Sequence, residues 1–251
     1  EDAIMRRICF ISTLFFIMLH NLKKTISDIK YEITINIMAL VVNSLFIIEF
    51  QFLKFLIMLK QLFVEINFKL KLICYHKIMR AHDLRTQMSV LNVRSLAGLH
   101  ENLCSVIKMI NYVYSVPLLL SIILVLFYLI FCVFMFISKV FNNENFKCIP
   151  IHVYVIFFYF LSKAIIIIYY CKICSSKANR TGVLVHQVLR FTINEKIREE
   201  LELFSLQLLH QKVQFTACGF FPLDFTLLYS VVGAVTTYLV ILLQFQQQFV
   251  L

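Results

Sequence analysis

The sequence predicts an all-α protein, a polytopic transmembrane helical bundle with long cytosolic helix extensions and its C-terminus outside. Three observations predict it. Of 251 residues, 61% are hydrophobic and 15% charged, where soluble domains hold about 45–50% apolar and about 25% charged residues. A soluble core stops growing near ~250–300 residues, so a water-soluble fold of this length cannot hide so much apolar surface. Residues 109–138 and 225–251 carry no formal charge, and each run exceeds the ~20 residues that cross a bilayer. Lys and Arg are also split unevenly between the two sets of loops, 17 against 5, and the excess marks the cytoplasmic side.

Residues 8–20 follow Arg6 and Arg7 and are short for a span. A signal-peptide core looks similar, but no small-residue cleavage site follows, so a short span is expected. The next span, 31–58, contains one acid, Glu49. An acid inside a span is a functional candidate by default; snorkelling, or pairing with Lys54, explains it equally well. Residues 59–111 are expected to form a cytosolic helical extension. There Leu84, Met88, Leu91, Leu99, Leu103, Val106 and Ile110 recur at helical spacing and lead into the next span. Spans follow at 112–138 and 149–171, the latter interrupted by Lys163, whose long stem can snorkel.

Residues 172–218 are expected to hold a cytosolic anchor helix. Its apolar face would carry Leu189, Ile193, Ile197, Leu201, Phe204 and Leu208, opposite Arg190, Glu195, Arg198, Glu199 and Glu202. Helix is expected over 186–217, broken near Gly219 and Pro222. Residues 219–251 then supply the last membrane helix. The chain starts at Glu1 without a Met, and a fragment is expected.

Catalytic chemistry finds no pattern. There is no phosphate-binding loop, no dinucleotide fingerprint, no nucleophile elbow and no HExxH. No catalytic residue, metal ligand or cofactor is expected. Cys171 and Cys174 form one CxxC without a second pair, a weak zinc signal best read as packing. His100, beside Glu101 and Cys104, is expected on a solvated helix face. Asn179-Arg180-Thr181 is a glycosylation sequon by chance, in a loop placed inside. The net charge of +10 reflects the loop bias; a nucleic-acid partner is not expected, since no basic module with stacking aromatics is present.

The most informative stretch is TACGFFPLDFTLLYSVVGAVTTYLVILLQF, Thr216 to Phe245. Within it Thr237-Tyr238, five apolar residues Leu239 to Leu243, and Gln244-Phe245 closely resemble the C-terminal signature of insect gustatory receptors. LHENLCSVIKMINYVYS, Leu99–Ser115, resembles more weakly that family's approach to its fifth span. The resemblance implies a seven-span receptor with an inside N-terminus, of which these five spans are the third to seventh. It implies a plasma-membrane, tetrameric, ligand-gated cation channel, with cytosolic helices as an anchor domain and the last helix lining the pore. The C-terminal motif looks closest to the fructose-receptor and broadly expressed branches.

On that resemblance Phe245 is the hydrophobic gate, Gln244 its pore-lining partner, and Tyr238 and Thr237 belong to the same pore helix. Small and hydroxyl residues (Thr226, Ser230, Gly233, Ala234, Thr236, Thr237) also allow close helix approach there. Without the resemblance, Gln244 reads as interfacial and Phe245 as lipid-facing. Ligand sites of the family lie in the outer half of the bundle, which makes candidates of Asn43, Ser121, Tyr128, His152, Tyr154 and Tyr159; each also reads as a packing residue. The implied partners are a small-molecule tastant, sugar or bitter compound, the lipid bilayer, and other subunits in a homotetramer or a hetero-oligomer of gustatory receptors. The alternatives are a seven-span G-protein-coupled-like receptor, which no DRY or NPxxY motif supports, and a membrane transporter using Glu49 and Lys163 as a buried coupling pair.

Overall fold

A computed structural model describes residues 29–79, 83–141 and 151–250, with side chains for 40–73, 92–134, 137, 155 and 157–244. The expected span at 8–20 lies outside the described residues. The elements are α1 (Ile29–Met79), α2 (Asp83–Phe141), α3 (Ile151–Arg190), α4 (Glu195–His210), β1 (Thr216–Ala217), β2 (Phe221–Pro222) and α5 (Phe225–Val250). Among the described residues, four helices are long and apolar enough to cross a membrane. With 51 and 59 residues, α1 and α2 are about 75–90 Å long at ~1.5 Å per residue. A hydrocarbon core is only ~30 Å thick, so both must continue far beyond it. The fold class is as the composition predicts.

Two compact units divide the chain. Of the described residues, the first unit takes 29–50, 117–141, 151–167 and 227–250, and the second takes 51–79, 83–116 and 168–226. In the first unit, Val125, Leu129, Tyr159 and Phe160 form a buried cluster, packed by Val42 and Phe46 of α1, Tyr128 of α2, and Val231 and Val235 of α5. Pro117 lies inside α2, where it withholds a donor from the Val113 carbonyl. One turn of neighbouring backbone is tied by a side chain instead, the Ser115 hydroxyl donating to the Tyr112 carbonyl at 2.8 Å.

The second unit has its own core. Phe52, Leu56, Leu59, Phe63, Ile66 and Leu70 of α1 are all fully or almost fully buried, and their three- and four-residue spacing puts them on one stripe. Polar groups tie its helices together. The Asn67 amide donates to the Lys177 carbonyl at 2.9 Å, and the buried Thr181 hydroxyl donates to Asn67 Oδ1 at 2.9 Å.

The anchor helix differs from expectation. It is not continuous over 186–217: α3 runs on to Arg190, and α4 begins only at Glu195. Asn194 supplies the physical reason, because its extended backbone (φ −76°, ψ 120°) and side chain cap the Ile197 amide. Ile193, expected on the apolar face, falls in the break and is 95% exposed, while Ile197, Leu201 and Phe204 are buried as expected. Helix stops again at His210, before Gly219 and Pro222 are reached.

A short hairpin comes next in the chain, with Thr216 opposite Pro222 and Ala217 opposite Phe221. Its turn needs left-handed backbone at Cys218 (φ 51°) and Gly219 (φ 77°), free of steric cost only at the glycine. Asn111 of α2 holds the first strand of this hairpin through one residue, accepting from the Thr216 amide at 2.9 Å and donating to the Thr216 hydroxyl at 3.3 Å. Asp224 then opens α5 as its N-cap, accepting from the Thr226 amide at 3.0 Å.

Candidate functional site

Glu49 and Lys163 meet in the first unit. Lys163 Nζ lies 2.7 Å from Glu49 Oε2, with the side chains 12% and 3% exposed. Glu49 therefore does not snorkel; it pairs across helices, joining α1 to α3. Lys163 also sits over the Phe160 ring, 5.4 Å from its centroid, instead of reaching for an interface. Glu49 Oε1 and Asn43 Oδ1 are buried without a hydrogen-bond partner among the described residues. In an apolar setting such orphaned acceptors are costly, and each could receive a donor from a small polar ligand.

Aromatic rings adjoin this polar centre. Tyr128 and Phe160 are 5.2 Å apart between ring centroids, and Tyr159 packs edge-on to Phe160 at 5.5 Å. Of the expected ligand residues, the fold thus gathers Tyr128 and Tyr159 into one cluster. Ser121 is buried, two helical turns before Tyr128. The side chains of His152 and Tyr154 lie outside the described residues. Aromatic rings with a few polar groups beside them are the usual chemistry of small-molecule recognition.

The motif on α5 is placed differently. Only 6% of its most apolar stretch is buried, against 28–39% in the other three long helices. Tyr238 is 53% exposed, and Thr237 and Gln244 are exposed too. The hydroxyls of Thr236 and Thr237 donate one turn back, to the carbonyls of Val232 (2.9 Å) and Gly233 (3.0 Å), which satisfies both within the helix. The Phe245 side chain lies outside the described residues.

His100 is a correction. It is 1% exposed, not on a solvated face, and packs edge-on between Phe63 (5.3 Å) and Phe204 (5.9 Å). Its Nε2 lies 3.4 Å from the Ala178 carbonyl and its Nδ1 3.5 Å from Cys104 Sγ. The ring therefore joins three helices of the second unit to α2. The expected stripe on α2 is rotated correspondingly: Leu99 and Val106 are exposed, while Leu96, Leu103, Ile107 and Ile110 are buried. Glu101 does face outward, accepting from the Gln207 amide at 3.0 Å. Cys171 and Cys174 are buried free thiols. The sequon lies in helix α3 and not in a loop, and its asparagine is already engaged: Asn179 exchanges two 3.0 Å hydrogen bonds with the backbone of Val213.

Among the described residues, four long apolar helices, two of them far longer than a bilayer is thick, define a multi-pass membrane protein. The chain belongs to the family described as 7tm chemosensory receptor, whose model matches residues 4–249. Three proteins of Drosophila melanogaster are among those similar to it. "Putative gustatory receptor 28a" is 32% identical over 61% of this chain and 35% of its own length. The gustatory receptor for bitter taste 66a is 30% identical over 61% of this chain and 30% of its own. The gustatory receptor for sugar taste 43a is 26% identical over 62% of this chain and 36% of its own. The matched stretch spans about a third of the length of each.

Proposed function

We propose that this chain works in a ligand-gated, nonselective cation channel of the plasma membrane that detects small-molecule tastants. The single observation that carries this reading is the bareness of α5. A helix with 6% of its apolar stretch buried, carrying exposed Thr237, Tyr238 and Gln244, lacks neighbours that other copies would supply. Small residues such as Gly233 and Ala234 permit that close approach. Four copies around one axis would let α5 line a shared pore, with Phe245 as a dewetting ring and Gln244 beside it. Residues 59–111 and 172–218 would be the cytosolic anchor, holding a homotetramer or a hetero-oligomer together. The C-terminus would be extracellular.

The ligand would enter the first unit near Asn43, Ser121, Tyr128 and Tyr159, with His152 and Tyr154 on the same span. The relatives include one receptor named for bitter and one for sugar taste. Tyr128, Tyr159 and Phe160 suit an aromatic ligand, while the orphaned oxygens of Asn43 and Glu49 suit hydroxyl or ammonium donors. The test is two-electrode recording from oocytes expressing the full-length receptor, against a panel of sugars and bitter compounds. Ligand-evoked, poorly selective cation current is expected. A transporter has one observation on its side, the Glu49–Lys163 ion pair; saturable ligand uptake without current would establish that reading instead.

A further inference from the structure

Between α4 and α5 the chain from Gln211 to Asp224 holds no helix and only the two short strands of the hairpin. Val213, Phe215 and Ala217 are buried, whereas Lys212 and Gln214 are exposed and Thr216 is half-buried, which is the alternation of a strand. A strand needs neighbours for its backbone groups. Two asparagine side chains take that place, because a carboxamide carries the donor and acceptor of a peptide group. Asn179 of α3 donates to the Val213 carbonyl and accepts from its amide, both at 3.0 Å. Asn111 of α2 does the corresponding work at Thr216. Between these two points Phe215 packs edge-on to Phe52 with 6.0 Å between ring centroids. Its carbonyl accepts from the Leu223 amide at 2.9 Å.

Packing alone does not hold this segment on α2. A cavity of about 60 Å³ is lined by Cys104, Ile107, Lys108 and Asn111 of α2 and by residues 211–214. Atoms across such a gap lose their contacts, so hydrogen bonds carry the attachment there. The attachment matters to α5. Phe225 and Thr226 group with the second unit and residues 227–250 with the first, and only 6% of the apolar stretch of α5 is buried. Phe245 lies 19 residues beyond Thr226. At a rise of ~1.5 Å per residue that is about 28 Å, so a tilt of about 5° at the start of α5 displaces Phe245 by about 2–3 Å.

We propose that Gln211–Asp224 is a strap that fixes the start of α5, pinned by Asn179 and Asn111, and that releasing a pin uncouples α5 from ligand binding. The uncoupling rests on the channel reading above; the pinning does not.

Hydrogen–deuterium exchange of the purified full-length receptor reads the strap without any ligand. Asn111→Ala and Asn179→Ala should each speed exchange across 211–224 and the first two turns of α5 at least about fivefold, with residues 51–70 of α1 unchanged. The two pins differ in chemistry. Both Thr216 groups facing Asn111 can donate, so Asn111→Asp, whose carboxylate accepts from both, should keep wild-type exchange. Asn179 must donate to a carbonyl, so Asn179→Asp should loosen the strap as alanine does. The same variants, matched for surface density, are recorded in oocytes against the panel of sugars and bitter compounds. Asn111→Ala should cut the largest ligand-evoked current at least about tenfold, because a ligand without a hold on α5 shifts nothing. Asn111→Asp should restore it. Unchanged exchange in the alanine variants overturns the proposal, as do an Asn111→Asp receptor no better than Asn111→Ala and a loosened strap with wild-type gating. A wild-type receptor that passes no current overturns the channel reading instead, and exchange alone then decides the strap. Should Asn179→Ala fail to fold, the two Asn111 variants decide.

Discussion

Lys163 of α3 and Glu49 of α1 form an ion pair at 2.7 Å, with 12% and 3% of their side chains exposed. Desolvation of two such charges roughly cancels their attraction, so the pair adds little net stability. Removing one partner is different, because it strands a buried charge at about 3–5 kcal/mol. The pair therefore specifies which faces of α1 and α3 meet more than it strengthens their contact.

Lys163→Met alone, or Glu49→Leu alone, should destabilise the folded receptor by about 3–5 kcal/mol and cut surface expression sharply. The double replacement should recover most of the loss, because two apolar chains of similar volume fill the same space. Thermal unfolding monitored by size-exclusion fluorescence measures all three. A double variant no better than the singles would mean that the charges do something the packing cannot replace, such as binding a ligand.

Thr181→Val should cost about 1–3 kcal/mol in the same measurement, since it leaves Asn67 Oδ1 buried without its donor. Thr181→Ser keeps the hydroxyl and should retain most of the stability. Treatment with a deglycosidase should not shift the mass of the receptor at Asn179, whose amide is already committed to Val213. A shift there would show that this part of α3 is open to the glycosylation machinery.

Asp224 allows a pH test with a definite sign. Hydrogen bonds from Thr226 hold its carboxyl below the ordinary value, with Lys172 also favouring the charged form. A depressed folded-state pKa contributes stability above the unfolded pKa of about 3.9, and that contribution disappears as pH falls through the folded value. Asp224→Ala should thus lower stability by about 1 kcal/mol as a lost helix cap, equally at pH 5 and pH 8. A difference that grows between those pH values would refute the assignment.

Orientation is tested with epitope tags. A tag after Leu251 should stain intact cells, and one between Phe191 and Ile193, where α3 has ended, should stain only after permeabilisation. The 17-to-5 split of basic residues predicts this result. Reversed staining would revive the G-protein-coupled-like topology.

On the proposed channel reading, Phe245→Ala should raise resting leak and weaken ligand dependence, because four rings close to the axis would exclude continuous water. Gln244→Ala should change conductance or ligand response more than leak. Tyr238 lies two turns before Phe245 on roughly the same face, and Tyr238→Ala should alter opening through helix packing. Surface-expressed Phe245→Ala channels that stay silent at rest and gate normally would place the gate elsewhere.

The sequence by itself determined that this is an all-α membrane protein. Apolar length and charge placement are one-dimensional quantities, and crossing a bilayer depends on little else. The C-terminal signature from Thr237 to Phe245 made the family legible for the same reason, as a local string. Tertiary structure alone decided the partner of Glu49 and the orientation of α2. That helix is apolar on most of its circumference, so its periodicity does not select a face. Packing against Phe63 and Phe204 turned His100 inward and left Leu99 exposed. Residues 114 positions apart, such as Asn67 and Thr181, found each other only because helices fixed elsewhere brought two polar groups together. The break before α4 lay between these extremes: Asn194 with Glu195 after it is a local cap signal, masked in the sequence by an apolar stripe that continues through Ile193.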